Sequence, residues 1–432
     1  MRALARWAVR LLTGAAVLAM SPVLGLAGLA GTAMLTGDPD VFTVVGLAVF
    51  ASVFFLGLLL CVPRPRVTWG RWTRALVILG IEVAVVWQVT GATLRPPPDG
   101  LSPLPPVAGQ REWRLPTGSR LAYVRLAPKR VTRPDPVVVL HGGPGLADLK
   151  GDSAFFGGLT ADGYPVYVYD QLGAGHSERL ADPHGYGLSR DVADLDAIRQ
   201  TIGAERLTLI GHGYGAQLAA AYLAAHRDRV SKVVFSSPAA LDRTPSTATL
   251  LSPSRNVLSP RVLAAYTLLR VDPRAAHAFA GDPELDAHLD RLRQEAGTGP
   301  CPAASPSART DPTRTGAPLQ SPSGARQAGK VALGSGGYAN LAQRLPPPGL
   351  RQDLAGLAVP ALVVKGSCDG QSWSAALGYR RALPATRLVY LEGDPHRDSP
   401  GPYLQTLRAF LTDRPLTTYD GDDPPPGHTD PG

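Results

Sequence analysis

The chain has few cysteines, little charge and no internal repeat. Three cysteines in 432 residues, Cys61, Cys301 and Cys368, are too few for a disulfide-built scaffold. Charged residues make up 18% of the sequence against 44% hydrophobic, which is apolar for a protein dissolved in water throughout. The absence of a repeat excludes solenoid and propeller architectures. The formal net charge of +8 does not mark a nucleic-acid binder, because much of the excess lies beside long apolar runs rather than on a basic face.

Those runs occupy 11–35, 41–62 and 75–94, and each is long enough to cross a hydrocarbon core as a helix. Arg2, Arg6 and Arg10 precede the first, and Arg64, Arg66, Arg71 and Arg74 separate the second from the third. The intervening loop carries Asp38 and Asp40. Positive-inside reasoning places the N-terminus and the 63–74 loop in the cytoplasm, and an odd number of crossings places the rest outside. The first run also has the basic start and small residues of a signal peptide. Its length and the second span directly after it favour an uncleaved anchor. Glu82 lies well inside the third run, where a carboxyl is protonated, paired with a neighbouring helix or functional. Of the cysteines, Cys61 closes the second run. Cys301 and Cys368 fall in the exported part, where oxidation is permitted but spacing does not decide whether they pair.

The expected organisation is a three-helix membrane region (1–95), a proline-rich linker (96–111), a core in two parts (112–240 and 356–413), an insertion (241–355) and a disordered tail (414–432). From 112 onward, β-branched and aromatic runs alternate with helical periods. A hairpin turns at Thr117-Gly118. Strands are expected at 136–140, 164–170, 207–210, "KVVFSSP", 360–366 and 386–393. A helix from 188 places Leu188, Val192, Leu195, Ile198 and Ile202 on one face, with Ser189 as its cap. Such alternation predicts an α/β fold, a mostly parallel sheet covered by helices on both faces. The insertion begins with helical segments and continues into a segment rich in Gly, Pro, Ser, Thr and Ala (297–330), expected to be disordered.

Three glycine-bearing turns follow strands. "HGGPG" (141–145) follows the first parallel strand, "DQLGAGHS" the next and "GHGYG" (211–215) the third. Asp369 and His396 follow the last two strands. The sequence of elbow, acid and histidine is that of an α/β-hydrolase. Together, "HGGPG", "YDQLGAGHS" and "GHGYGAQLAAAYLAAHRDRV" resemble the proline iminopeptidase-like branch of that fold, over about 112–413, with the insertion matching its helical cap. The resemblance implies hydrolysis of an N-terminal residue, often proline, or of related amides and esters, with no metal or organic cofactor. It places Gly142 and Gly143 on the oxyanion loop and gives the second donor to the N–H of Tyr214. His396 becomes the general base and Asp369 its orienter.

The departures bear on that activity. Gly213 stands at the nucleophile position, and glycine has no oxygen or sulfur to attack with. His212 and Tyr214 flank it and are expected to point away. Ser236 and Ser237 read as strand-end residues, and Cys368 as structural or bridged. Leu172 replaces the arginine common after "DQ", and Asp394-Pro395 precede His396 where small residues are usual. Glu284 and Glu295 are the cap acids able to grip a substrate amine, although an exposed helix face explains them equally. Three readings stay open: a membrane-anchored binding module without acyl-enzyme chemistry, an active extracytoplasmic hydrolase using His396 and Asp369, and a local lesion at Gly213. The expected partners are a small peptide, amide or ester ligand in the pocket and the membrane through 11–94, with no nucleic acid.

Overall fold

The computed structural model describes residues 2–65, 67–95, 104–143, 147–180, 182–242, 259–272, 274–280, 284, 346–367, 369–396, 399–426 and 428. Cys301, Cys368, Glu295 and the 297–330 segment lie outside these residues. The chain divides into two compact units, residues 1–98 with 251–285 and residues 99–250 with 286–432.

The first unit contains α1 (Arg2–Ala33), α2 (Pro39–Cys61) and α3 (Thr68–Leu94). All three are long and apolar enough to cross a membrane. α1 and α2 lie close because small residues meet. A Cβ on Gly46 would stand 2.7 Å from the Leu29 Cβ, and one on Gly25 would stand 2.8 Å from the Phe50 Cβ. Asp38 caps the start of α2 by accepting from the backbone N–H groups of Asp40 and Val41. Arg74, counted above among the topological arginines, donates to the carbonyls of Leu59 and Val62 at the end of α2. It thereby places a positive charge at the negative end of the helix dipole.

Part of the segment read as a cap belongs to this first unit. α7 (Pro260–Val271) is capped by the Ser259 hydroxyl, which accepts from Val262 N–H. Arg261 is its anchor. The guanidinium donates to both oxygens of Glu284 at 2.7 and 2.9 Å, to Thr93 O near the end of α3 and to Phe279 O. Glu284, a possible amine grip from sequence, is therefore committed to Arg261, with 12% of its side chain exposed.

The second unit holds an eight-stranded sheet in the order β1-β2-β4-β3-β5-β6-β7-β8. β1 (Gln110–Arg114), β2 (Arg120–Leu126) and β4 (Val166–Tyr169) pair antiparallel. β3 (Val137–Leu140), β5 (Leu207–His212), β6 (Val230–Ser236), β7 (Ala361–Gly366) and β8 (Thr386–Leu391) continue in parallel from β4. β3, β4 and β7 are buried at every position, as strands covered on both faces must be. The helices are α4 (Leu149–Phe156), α5 (Leu188–Thr201), α6 (Tyr214–Ala225), the short α8 (Leu350–Leu354), α9 (Trp373–Ala382) and α10 (Pro400–Leu411).

Two expectations are corrected. α5 begins at Leu188, so Ser189 is its second residue. Gly187 takes the cap position without a side-chain bond. The tail is ordered through 426 rather than disordered from 414. Tyr419 N–H donates to Leu388 O, and Trp373 Nε1–H to Asp422 O. Arg380 binds the Asp422 carboxylate, and the rings of Trp373, Tyr390, Tyr419 and His428 cluster. A composition of Asp, Gly and Pro hid these few aromatic and charged anchors.

Candidate functional site

The site is built at the carboxyl ends of β3, β4, β5, β7 and β8, where open α/β sheets place their ligands. The turn from β5 into α6 is its tightest point. A Cβ on Gly211 would lie 2.2 Å from Gly215 O, and one on Gly215 would lie 2.1 Å from Leu140 O. Both glycines are therefore steric requirements of a helix lying hard against β3 and β5. Gly213 is different. Its backbone sits at φ 54°, ψ −111°, a region disfavoured for residues with a Cβ. Among the described residues, a Cβ there would meet the Gly142 Cα alone, at 3.8 Å. The backbone bends as a nucleophile elbow does, with room for a side chain that the sequence does not supply. The bend is held by Gly213 N–H donating to Ser236 O and by Gly213 O accepting from Ala216 and Ala239.

The flanking residues are fixed in turn. Tyr214, fully buried, donates its hydroxyl to Asp191 on α5 at 2.6 Å, so the first turn of α6 is tethered by a charge-assisted bond. His212 does not point away from the site as expected. Its ring lies over the oxyanion loop, leaving a Cβ on Gly142 just 2.9 Å from His212 Cδ2. Its centroid is 6.3 Å from that of His396. Gly143 takes φ 128°, which favours glycine. Ser236 and Ser237 are fully buried at the end of β6, with Ser237 N–H donating to Val364 O.

The "YDQLGAGHS" motif ties the loops together. Gln171 N–H donates to His141 Nε2, so the His141 proton lies on Nδ1, facing Gly142 O. The Gln171 side chain also donates to His141 O. Asp170 accepts from the backbone N–H of His176 and lies 3.1 Å from its Nδ1. That bond to Asp170 raises the His176 imidazole above its ordinary pKa, against the lowering effect of burial.

Asp369 and His396 both stand after their expected strands, but no hydrogen bond or ion pair joins them. One oxygen of Asp369 binds Lys365 Nζ at 2.5 Å and accepts from Gln371 N–H. The other accepts from Gly366 N–H. Lys365 is completely buried at the end of β7, with its second bond to Gly366 O. Sequence reasoning passed over Lys365. Its spacing of four from Asp369, at the end of an otherwise apolar strand, is the signal that was available.

His396 sits instead in an aromatic pocket. Phe155 lies edge-on at 4.8 Å, Phe156 at 5.7 Å and Tyr403 at 6.1 Å between centroids. Burial and the neighbouring His212 hold its imidazole below the usual histidine range. Its Nε2 is 3.7 Å from Asp152 Oδ1. Asp152, on α4, is a further residue that the sequence analysis missed. Burial, with added repulsion from Asp148 and Asp170, pushes its carboxyl well above the usual carboxylate range. Among the described residues, no group of His, Cys, Asp and Glu has an arrangement able to hold a metal.

A family model described as the alpha/beta hydrolase fold matches residues 135–262, which contain the HGGPG loop, the YDQ motif and the elbow. The core has the α/β-hydrolase fold. Within it the chain is similar to curated proline iminopeptidases. It is 43% identical to the protein of Heyndrickxia coagulans over 105 residues, which are 24% of this chain and 35% of that relative. It is 32% identical to the protein of Levilactobacillus brevis over 128 residues, 29% and 42% of the two chains. The chain thus spans less than half the length of these curated relatives. Among solved structures, the enol-lactonase of Burkholderia xenovorans LB400 aligns over 70% of this chain and 100% of its own, at 19% identity and a TM-score of 0.48.

Two stability outcomes follow from this α/β-hydrolase core. Gly215→Ala should cost about 3 kcal/mol or more, because a backbone carbonyl cannot move out of the new methyl's way. Gly213→Ala should cost about 1–3 kcal/mol, from backbone strain alone. Thermal unfolding of the detergent-solubilised chain separates them, and equal losses would refute the steric distinction. Likewise, Lys365→Met should destabilise by about 3–5 kcal/mol, because it leaves a buried carboxylate uncompensated. Lys365→Met combined with Asp369→Asn should recover most of that loss. A double variant as unstable as the single would deny the pairing.

Proposed function

We propose that this chain is a membrane-anchored protein whose α/β-hydrolase core binds a small peptide, amide or ester in the old active-site pocket without forming an acyl-enzyme. The observation that carries this reading is Gly213, an elbow backbone with no nucleophilic side chain. The commitment of Asp369 to Lys365 supports it, because a histidine without its orienting acid loses most of its value as a general base. The buried Ser236 and Ser237 do not replace the missing group, since a reacting hydroxyl must be reachable by substrate. What the pocket retains suits binding. Gly142, Gly143 and the start of α6 carry backbone N–H groups of the kind that hold a carbonyl or carboxylate oxygen. The arginine pattern around the three apolar helices supports a cytoplasmic N-terminus and an extracytoplasmic core. Similarity to proline iminopeptidases supports a peptide or amide as the ligand class.

The experiment exposes the full chain in detergent to a fluorophosphonate probe and to nitrophenyl esters and proline anilides, beside Gly213→Ser. The wild type should remain unlabelled and release no chromophore, and Gly213→Ser should stay equally silent, because the restored hydroxyl meets a histidine whose expected acid is engaged by Lys365. Labelling of the wild type, or turnover that disappears in His396→Ala, would establish an active hydrolase and overturn the proposal.

A further inference from the structure

The polar groups left around the empty nucleophile position are paired differently from what their order along the chain implies. Asp369, the acid that follows β7, has both oxygens engaged, by Lys365 and by two backbone N–H groups. No hydrogen bond or ion pair joins it to His396. Asp152 is the reverse case. It is 8% exposed, its carboxyl makes no hydrogen bond among the described residues, and the ionisable side chain it approaches is His396, 3.7 Å from Nε2.

We propose that Asp152 is the carboxyl partner of His396, and that Asp369 is a latch for Lys365 with no part in positioning the histidine. Asp152 is a positioning residue in this assignment, and His396 is the group that meets a ligand. The first turns of α4 place Asp152 there. The Asp148 side chain caps the helix by accepting from Gly151 N–H, and Phe155 and Phe156, one turn on, wall the imidazole. A separation of 3.7 Å is long for a hydrogen bond, as polar contacts in unliganded pockets often are before a ligand draws them together.

The groups facing His396 are Asp152 from α4, His212 from the end of β5, Asp394 from its own loop and Tyr403 from α10. Asp148 and Asp170 stand behind Asp152. Burial disfavours charge on both members of the pair; repulsion from Asp148 and Asp170 disfavours it further on the carboxyl, and repulsion from His212 on the imidazole. Both shifts disfavour the charged forms, so the pairing rests on the 3.7 Å approach of a carboxyl and an imidazole that are each pushed toward neutrality. In a serine hydrolase Nε2 faces the nucleophile's oxygen. Here that nitrogen faces a carboxyl, so the unit presented to a ligand is a proton donor beside a proton acceptor. Such a unit recognises a hydroxyl or an amide, each of which both donates and accepts. The assignment shares its site with the function proposed above and gives that reading its ligand chemistry, but its test needs no turnover.

The test is nitrogen-15 NMR of the full chain in detergent with labelled histidine, the His396 signal being identified by its loss in His396→Gln. In the wild type, His396 should stay neutral to below the usual histidine range. In Asp152→Ala its ring-nitrogen shifts should change, and its titration midpoint should rise by about one pH unit or more as water reaches Nε2. In the double variant Lys365→Met with Asp369→Asn, chosen because it leaves no unpaired buried charge, both should stay as in the wild type. A His396 signal that responds to the double variant, or one indifferent to Asp152→Ala, overturns the assignment. Fluorophosphonate labelling of the wild type would overturn the functional reading and leave these spectra unaffected.

Discussion

The closeness of α6 to β3 and β5 is the constraint on which the site depends. With Gly215 against Leu140 O and Gly211 against Gly215 O, the helix can start nowhere else, and the residue between them must take a positive φ. The elbow is therefore a product of packing rather than of catalysis. A serine there would be held under strain, and glycine removes the strain while leaving the bend intact. This explains how the corner, the oxyanion loop lying over it and the Tyr214–Asp191 tether all persist around a position that lacks a nucleophile.

The second constraint is the burial of carboxylates at the rim of the sheet. Asp170 has His176, Asp191 has Tyr214, Asp194 has Ser119 and Arg190, and Asp369 has Lys365. Each meets the desolvation cost with a donor or a cation. Asp152 is the member without such a donor, and burial pushes its carboxyl well above the usual carboxylate range where it stands beside His396. A lysine buried completely at the end of β7 fits the same rule from the other side. It needs a carboxylate within reach, and Asp369 is four residues away.

Much of this fold was legible in the sequence because its signals are local. Short β-branched runs gave the strands, and Gly118, Gly173 and Gly213 marked turns with positive φ. That Gly213, Asp369 and His396 each follow a strand was legible for the same reason. What was not legible is which side chain meets which. Asp369 and His396 are the right residue types after the right strands, yet Lys365 intercepts one and Asp152 approaches the other. Both rearrangements depend on side-chain direction at the ends of separate elements, which periodicity does not carry. The tail was misread for a related reason. A few bonds from Trp373 and Arg380 order a composition that otherwise resembles a linker.

The pairing of Asp369 also bears on how Gly213 should be understood. A lone change from serine to glycine would remove the attacking oxygen and leave the other parts of a hydrolase in place, with the acid facing the histidine. The arrangement here departs at two further points, neither of which glycine at 213 would cause. Lys365 sits on a different strand from the elbow and reaches Asp369 through its own side chain. Asp152 comes from α4, beyond the oxyanion loop. On the pairing proposed above, three separate elements differ in the same sense, away from a serine–histidine–acid relay and toward a pocket whose polar groups are paired among themselves. A single lesion accounts for one of these features. The binding site proposed above would account for all three.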